Sequence, residues 1–541
     1  MDSRQLWEKY CGFYRKSFEE QIEYNEVLLK RHLSLWLNTY TGRDLCRDKI
    51  VKGIDDLPLT EYGDYTILGK VTDAIEYCEK NVPVGENETL HDYYMRTFGQ
   101  HVRPLCEGYI PDEPYFCAKT TGTTGKPKYF VHGKGFYETF ISSSMALVLI
   151  AFSKDWGDNV LDDRVNALNL IAPPPYISGW ALKYWSNFLK FVPPIEIADK
   201  IRDMGKKFYI ALKMIEDGNR IHMAGGSGSL LYMACKYFSD QEYFLKESYR
   251  ATSSWIKRFL IMLKIFTLKF SNGKKRDLRE IMPLKGVLIG STDARMYSEF
   301  FEKEFGVTPL NSYGSTEFGS AMFGRPDRKM DFMPNLKSLY FEFLDEKGEI
   351  RKINELKLGE SYELVGTPFN TMLVRYRIGD LFKCIDFYDG MPVFSFEGRV
   401  QSLISVYDYY RVTEDVMARA LVEANFKASD RWAVAKVLNP REKLLVLLEK
   451  EWPISEGEAE KRIFNALINV QPEFRDYVND FRISDPSEAI EVEFLSRGTF
   501  TRYAILQAKR NVPLGQYKPP KIIPPEKVQI LEDLRECSRN A

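Results

Sequence analysis

Lys119-Thr-Thr-Gly-Thr-Thr-Gly-Lys-Pro-Lys128 follows directly on Tyr115-Phe-Cys-Ala118, and the pair decides how the chain is read. The apolar, aromatic stretch predicts a strand, and the polar run after it predicts a loop. Gly122 and Gly125 let the backbone approach a polyanion, and successive N–H groups in such a loop form an anion-binding nest. Thr120, Thr121, Thr123 and Thr124 add hydroxyl donors, and Lys126 and Lys128 add positive charge. On its own the segment fits a polar turn as well as a phosphate loop. The common nucleotide pattern Gly-x-x-x-x-Gly-Lys-[Ser/Thr] is absent, because Pro127 follows Lys126.

Outward from this loop the chain alternates. Phe130–Val131 predicts a strand end and 136–152 a helix. Val165–Ala172, Ile221–Ala224 and Gly286–Ile289 read as strands, and Met296–Phe305 as a helix. Before the loop, apolar residues at helical spacing from Leu6 to Ile22 predict an opening helix or helix pair, and 50–115 is mixed. Leu339–Leu344, Ser361–Val365 and Met372–Arg377 read as strands separated by polar turns, which predicts an antiparallel section. The character changes again near Glu397-Gly-Arg399. The expectation is therefore an α/β chain, with a large, layered, multi-sheet N-terminal domain over 1–396 and a smaller α+β domain over 397–541.

Composition bounds the partners. Lys+Arg 75 against Asp+Glu 76 gives a net charge of -1, so the whole protein has no electrostatic attraction for nucleic acid. The eight cysteines are scattered without a Cys-x-x-Cys pair and read as reduced thiols of a cytoplasmic protein. The five histidines are equally dispersed, which argues against zinc. No apolar run is long enough for a transmembrane segment. Trp255–Phe270 carries four cationic residues and reads as an amphipathic helix on the core, with a membrane-surface helix as the alternative.

Three further motifs lie downstream. Asn311-Ser-Tyr-Gly-Ser-Thr-Glu317 joins an aromatic face at Tyr313, small residues at Gly314 and Ser315, a hydroxyl at Thr316 and hard carboxylate oxygens at Glu317. Arg375-Tyr-Arg-Ile-Gly-Asp380 ends on a carboxylate, and Glu397-Gly-Arg399 on a guanidinium. Together with the loop, and with Gly290-Ser291-Thr-Asp293 about twenty residues before Tyr313, they stand in the order that resembles the adenylate-forming superfamily. That resemblance implies ATP and Mg²⁺ as cofactors. It implies that Tyr313 and Ser291 face the adenine, that Thr316 and Lys128 bind phosphate, and that Glu317 holds the metal ion. It further implies that Asp380 holds the ribose hydroxyls, that Arg399 reaches the ribose or phosphates, and that the C-terminal domain is a mobile cap. Gln401 stands where the superfamily's pivot is often Asp or Lys.

The tail narrows the resemblance. The superfamily's usual Pro-x-Thr-x-x-Gly-Lys ending is missing, and Arg497-Gly-Thr-Phe500 and Gly515-Gln-Tyr-Lys-Pro-Pro-Lys521 stand in its place. These resemble the plant auxin- and jasmonate-conjugating acyl-acid amido synthetases, although the phosphate loop here is of the generic form. This resemblance implies activation of a carboxylic acid as acyl-AMP and transfer to an amine, an amino acid. Lys518 would be the catalytic cation, with Lys521 and Lys509 as rivals. An acyl-CoA synthetase with CoA as acceptor is the alternative, and a non-catalytic nucleotide sensor is a more distant one. Tyr176, Trp180, Met223, Ala224 and Gly225–Ser229 are candidates for the acyl pocket, and His132 for the site wall. Tyr176, Trp180 and His132 read equally well as core residues.

Overall fold

The structure is a computed structural model. It describes residues 3–47, 49–120, 128–158, 161, 165–201, 204–226, 228–239, 262, 277–290, 294–400, 403–407, 409–426, 431–438, 441–450, 453–500, 502–503, 506, 521–523 and 525–539. The described residues separate into two compact units, one of 3–120, 128–231 and 277–400, the other of 232–239, 262 and those from 403 on.

In the first unit the strands form one twelve-stranded sheet. From one edge the order is Ile350–Lys352, Leu339–Leu344, Ser361–Pro368, Tyr376–Tyr388, Met391–Arg399 and Arg328–Pro334. It continues with Gly319–Arg325, Leu310–Ser315, Gly286–Ile289, Met223–Gly226, Asn166–Asn169 and Lys190–Val192. Leu310–Ser315 is the seam. It pairs in parallel with Gly286–Ile289 and antiparallel with Gly319–Arg325. The strands before the seam are short and parallel, joined by helices, as the βα alternation predicts. Those after it form antiparallel meanders. A separate hairpin, Pro114–Lys119 with Tyr129–Gly133, carries the Thr/Gly/Lys run at its tip.

The helix Lys134–Phe152 explains its own sequence. Every residue from Ser143 to Phe152 is buried, so its apolar character runs right round it, as a helix packed on all sides requires. It is long and apolar enough to cross a membrane, but here it is a core element. The opening helices are Ser3–Cys11 and Phe18–Trp36, the second begun by a capping box at Ser17 and Glu20.

The strand expected over Met372–Arg377 begins only at Tyr376. Met372, Leu373 and Val374 are buried, which accounts for the apolar run, but side chains satisfy their backbone. Val374 N–H donates to the Tyr65 hydroxyl at 3.0 Å, its carbonyl accepts from Thr60 Oγ1 at 2.6 Å, and Leu373 N–H donates to Thr371 Oγ1 at 3.1 Å. Arg375 then turns the chain with φ of 44°. The strand expected over Val165–Ala172 spans only Asn166–Asn169, since the backbone after it leaves the sheet. There Lys119 N–H donates to Pro175 O at 2.9 Å.

The second unit is α+β. Its sheet runs Ile490–Leu495, Lys443–Glu449, Trp432–Val437, Ile522–Ile523, with the hairpin Leu403–Val406/Tyr410–Thr413 beside it in sequence. The Gly-Thr-Phe stretch is tied to this sheet. The buried Glu449 carboxylate accepts from the N–H of Gly498 and of Phe500, both at 2.9 Å. All eight cysteines are buried, and none is in a disulfide.

Candidate active site

The first unit brings four of the sequence motifs into a line of contacts. It starts at the neck of the phosphate loop. Thr120 N–H donates to Lys128 O at 2.8 Å and Lys128 N–H donates to Thr120 Oγ1 at 3.1 Å, closing the hairpin on which the loop stands. Thr121, Gly122, Thr123, Thr124 and Gly125 lie outside the described residues, as do Ser291, Lys509, Lys518 and the segment 255–270 apart from Met262.

From the neck the line passes to the turn after Leu310–Ser315. Thr316 Oγ1 donates to Lys119 O at 3.2 Å, and Thr316 O accepts from His132 Nε2 at 2.9 Å. A carbonyl only accepts, so Nε2 carries the proton. Burial pulls the His132 pKa down to about 3, against a smaller upward effect of its bond to Thr316, and keeps the ring neutral. The ring stacks on Phe136 with centroids 4.1 Å apart. Glu317 follows in the same turn, 8% exposed. Ser315 closes the turn, its Oγ accepting from Phe318 N–H at 3.1 Å. A side chain on Gly314 would put its Cβ 2.7 Å from Gly319 O, so the hairpin itself needs glycine there.

Next comes the motif Arg375–Asp380. Tyr313 O–H donates to Asp380 Oδ2 at 2.7 Å, and Asp380 is 4% exposed. The Tyr313 ring packs edge-on to Phe382 at 4.8 Å and lies near Phe332 and Phe396. Gly379 supplies the φ of 79° that precedes Asp380, and its carbonyl accepts from Val400 N–H at 2.8 Å. The strand register sets Asp380 directly opposite Arg399. Gly290 lies against the seam strand, where an added Cβ would sit 3.5 Å from Ser312 Oγ.

Two contributors, Glu342 and Tyr62, lie outside the motifs. Arg375 makes a buried bidentate pair with Glu342 at 2.9 and 3.1 Å and donates to Leu57 O at 2.6 Å. Burial raises the Glu342 carboxyl even with Arg375 beside it, yet two guanidinium bonds to two oxygens argue that the carboxylate form is the one held. Tyr62 presents its ring to Lys128, whose Nζ lies 4.8 Å from the centroid. No sequence signal points to Tyr62, which lies in the stretch 50–115 that reads only as mixed.

Among the acyl-pocket candidates, Trp180, Met223 and Ala224 are at most 2% exposed. Trp180 packs on Phe116 and His91 as a core aromatic. Tyr176 bridges to Lys119 beside the loop neck. Among the described residues no cluster of three or more His, Cys, Asp or Glu side chains is set to hold a metal ion. A carboxylate such as Glu317 suits an ion that takes most of its remaining ligands from phosphate and water.

Residues 332–399 match the GH3 family central domain. A probable indole-3-acetic acid-amido synthetase, GH3.7 of Oryza sativa subsp. japonica, is 26% identical over 289 residues, 46% of each chain. The chain thus spans about half the length of the curated relatives it matches. The acyl acid amido synthetase AtGH3.15 in complex with 2,4-DB superposes with a TM-score of 0.51 at 17% identity, over 98% of this chain and 96% of that one. The 2-hydroxyisobutyryl-CoA ligase in complex with 2-HIB-AMP and CoA superposes with a TM-score of 0.52 at 13% identity, over 95% and 93%. At such identities these two likenesses establish the fold. Residues 332–399 thus resemble the GH3 family central domain, in a chain whose fold is that of the amido synthetase and the CoA ligase just named.

Proposed function

We propose that this chain is an ATP-dependent ligase that activates a carboxylic acid as its acyl-adenylate and passes the acyl group to an amine, that of an amino acid. The observation that carries the reading is the line from the loop neck through Thr316 and Tyr313 to Asp380 and Arg399. It sets candidate phosphate, adenine and ribose groups side by side in one unit. The relatives' names support the amine acceptor, since they are amido synthetases.

In this reading the loop residues 120–125 and Lys128 bind the phosphates, Asp380 accepts from the ribose hydroxyls, and Glu317 holds Mg²⁺. The metal ion screens the triphosphate charge. Tyr313, Gly314, Ser315 and Ser291 line the adenosine side, and Arg399 reaches the ribose or phosphates. A carboxylate oxygen of the acid attacks the α-phosphorus, the α–β phosphoanhydride bond breaks, and pyrophosphate leaves. Lys518 stabilises the charge at the α-phosphate, an assignment that rests on the sequence alone. The neutral amine then attacks the acyl carbonyl carbon, the carbon–oxygen bond to AMP breaks, and the nitrogen gives up its proton. The enzyme's part is chiefly positioning and electrostatic stabilisation. Residues 1–396 form the adenylating domain and 397–541 the cap, and the protein works in the cytoplasm.

A screen of labelled pyrophosphate exchange into ATP over aryl, indole and fatty acids tests the activation step. Amino acids and CoA are then offered to the adenylate formed. Exchange followed by amide formation is the expected result. Thioester formation alone would make the chain a CoA ligase, and no exchange with any acid would refute the reading.

A further inference from the structure

The phosphate loop's lysine has a long, flexible side chain, and a cation on such a stem must be ordered before it can bind a phosphate at a fixed place. A segment that carries no motif does this ordering. Leu57–Tyr62 runs as a strap along the start of the ribose-binding strand. Thr60 N–H donates to Arg375 O at 3.0 Å, and Arg377 N–H donates to Thr60 O at 2.8 Å, so Thr60 pairs with Tyr376. Glu61 meets Arg377 at 3.6 Å, and Arg375 holds Leu57 O. The strap is thus fixed at several points before it reaches Tyr62.

At its end the Tyr62 ring is itself held. It packs edge-on to Phe130 with centroids 5.3 Å apart, and Phe130 packs on Tyr376 in turn. Its hydroxyl lies 3.4 Å from Thr72 Oγ1. The ring is half-buried. Burial is the main cause that raises the phenol's pKa. The face of this fixed ring receives Lys128 Nζ at 4.8 Å, within the range where a ring quadrupole attracts an ammonium.

We propose that Tyr62 is a positioning residue: its ring holds the Lys128 ammonium at the loop neck, and the strap makes that placement depend on the ribose-binding strand. The inference rests on the adenylation reading for what Lys128 binds. It has a consequence of its own, which is that phosphate and ribose binding share one mechanical support.

The test is a double-mutant cycle with Tyr62→Leu, Tyr62→Phe, Lys128→Ala and Tyr62→Leu/Lys128→Ala, read by direct ATP titration and by pyrophosphate exchange. Loss of the ring should weaken ATP binding by about 2- to 30-fold, the range of one cation–π contact. Phenylalanine, which keeps the ring, should recover most of that loss. In the Lys128→Ala background the leucine substitution should change affinity no further. Should Tyr62→Leu fail to fold, Tyr62→Met takes its place, filling the space without a ring. Equal losses for Phe and Leu, additive losses in the double variant, or wild-type ATP affinity in Tyr62→Leu would each overturn the proposal. If the wild-type protein binds ATP but exchanges no pyrophosphate with any acid, the adenylation reading fails while the titration still decides the Tyr62–Lys128 pair. A wild-type protein that binds no ATP overturns both.

Discussion

Removing the Asp380 carboxylate should abolish the protein's discrimination of ribose from deoxyribose. Asp380 is 4% exposed and accepts the Tyr313 hydroxyl at 2.7 Å. A carboxylate so placed has lone pairs left for two ribose hydroxyls. Each hydrogen bond to a charged group contributes about 1.5–3 kcal/mol, so losing both would cost about twice that. The loss is therefore roughly 10²- to 10⁴-fold in ATP affinity. The assay is ATP titration of wild type and variant beside 2′-deoxyATP and 3′-deoxyATP. Wild type should bind both analogues more weakly than ATP, and the variant should bind all three within about threefold of one another, less than one such bond is worth. If Asp380→Ala still prefers ATP over both deoxy forms by the wild-type margin, the carboxylate does not face the ribose and the line of contacts must be reread.

Three further outcomes follow from the same geometry. Glu317→Gln keeps the shape of a side chain that is 8% exposed but removes its charge, so it should impair adenylation and raise the Mg²⁺ concentration needed for half-maximal exchange; an unchanged Mg²⁺ curve would free Glu317 of its metal role. Lys518→Ala should slow acyl-adenylate formation by about 10²–10³ and leave consumption of supplied adenylate much less affected, whereas a slowing within about threefold would place the catalytic lysine elsewhere. His132 and His32 are both neutral in the fold, with pKa values pulled down by burial to about 3. The unfolded chain takes up those protons near pH 6.5, so it binds more protons than the folded one between about pH 6.5 and 3. Stability is therefore lost as pH falls through this window, by about 1.4 kcal/mol per unit for each ring. His132→Gln, which keeps a donor toward Thr316, should reduce the acid slope of a chemical-denaturation series by about one proton, and an unaltered slope would mean that the ring already titrates normally.

The sequence was most informative where local pattern and tertiary role coincide. Gly286–Ile289 and Leu339–Leu344 are strands with the bounds their apolar runs predict, because both are short, buried and ended by turn residues. It was least informative where burial and backbone geometry part company. Met372–Val374 is as apolar as a strand, yet its hydrogen bonds go to Thr60, Tyr65 and Thr371. Only the fold brings two of those partners there, across some three hundred residues of chain. Shorter separations, 66 and 33 residues, hid Tyr62 from Lys128 and Glu342 from Arg375 in the same way. A motif search finds residues that a ligand requires in a fixed spacing, and it does not find those that merely hold them, since their spacing is set by the path of the chain.

The seam in the sheet explains why the motif at 311–317 can serve as the wall of a site. Along the parallel half, Gly225 pairs with Leu288, Gly226 with Ile289, and Ile289 with Asn311. The strand Gly286–Ile289 ends there, but its neighbour continues to Ser315, four residues further. At about 3.3 Å per residue the seam strand overhangs the carboxyl ends of the parallel strands by roughly 13 Å. A lone strand could not hold such an extension in water, because one edge of its backbone would lack partners. Here Gly319–Arg325 folds back antiparallel along it and satisfies that edge. The turn of this hairpin then reaches Lys119 and His132 on the separate loop hairpin. Beneath the overhang the strand ends carry Gly225 and Gly226, where among the described residues an added Cβ would meet no atom nearer than 3.9 and 3.7 Å. Open small residues at carboxyl strand ends, under a wall that begins where the sheet changes direction, are the geometry in which open α/β sheets bind ligands. Gly226 has a second reason to be glycine, since its φ of 138° strains any other residue. Gly225 has no such strain, so a side chain there would act through the space it fills, which separates an effect on ligand size from an effect on folding.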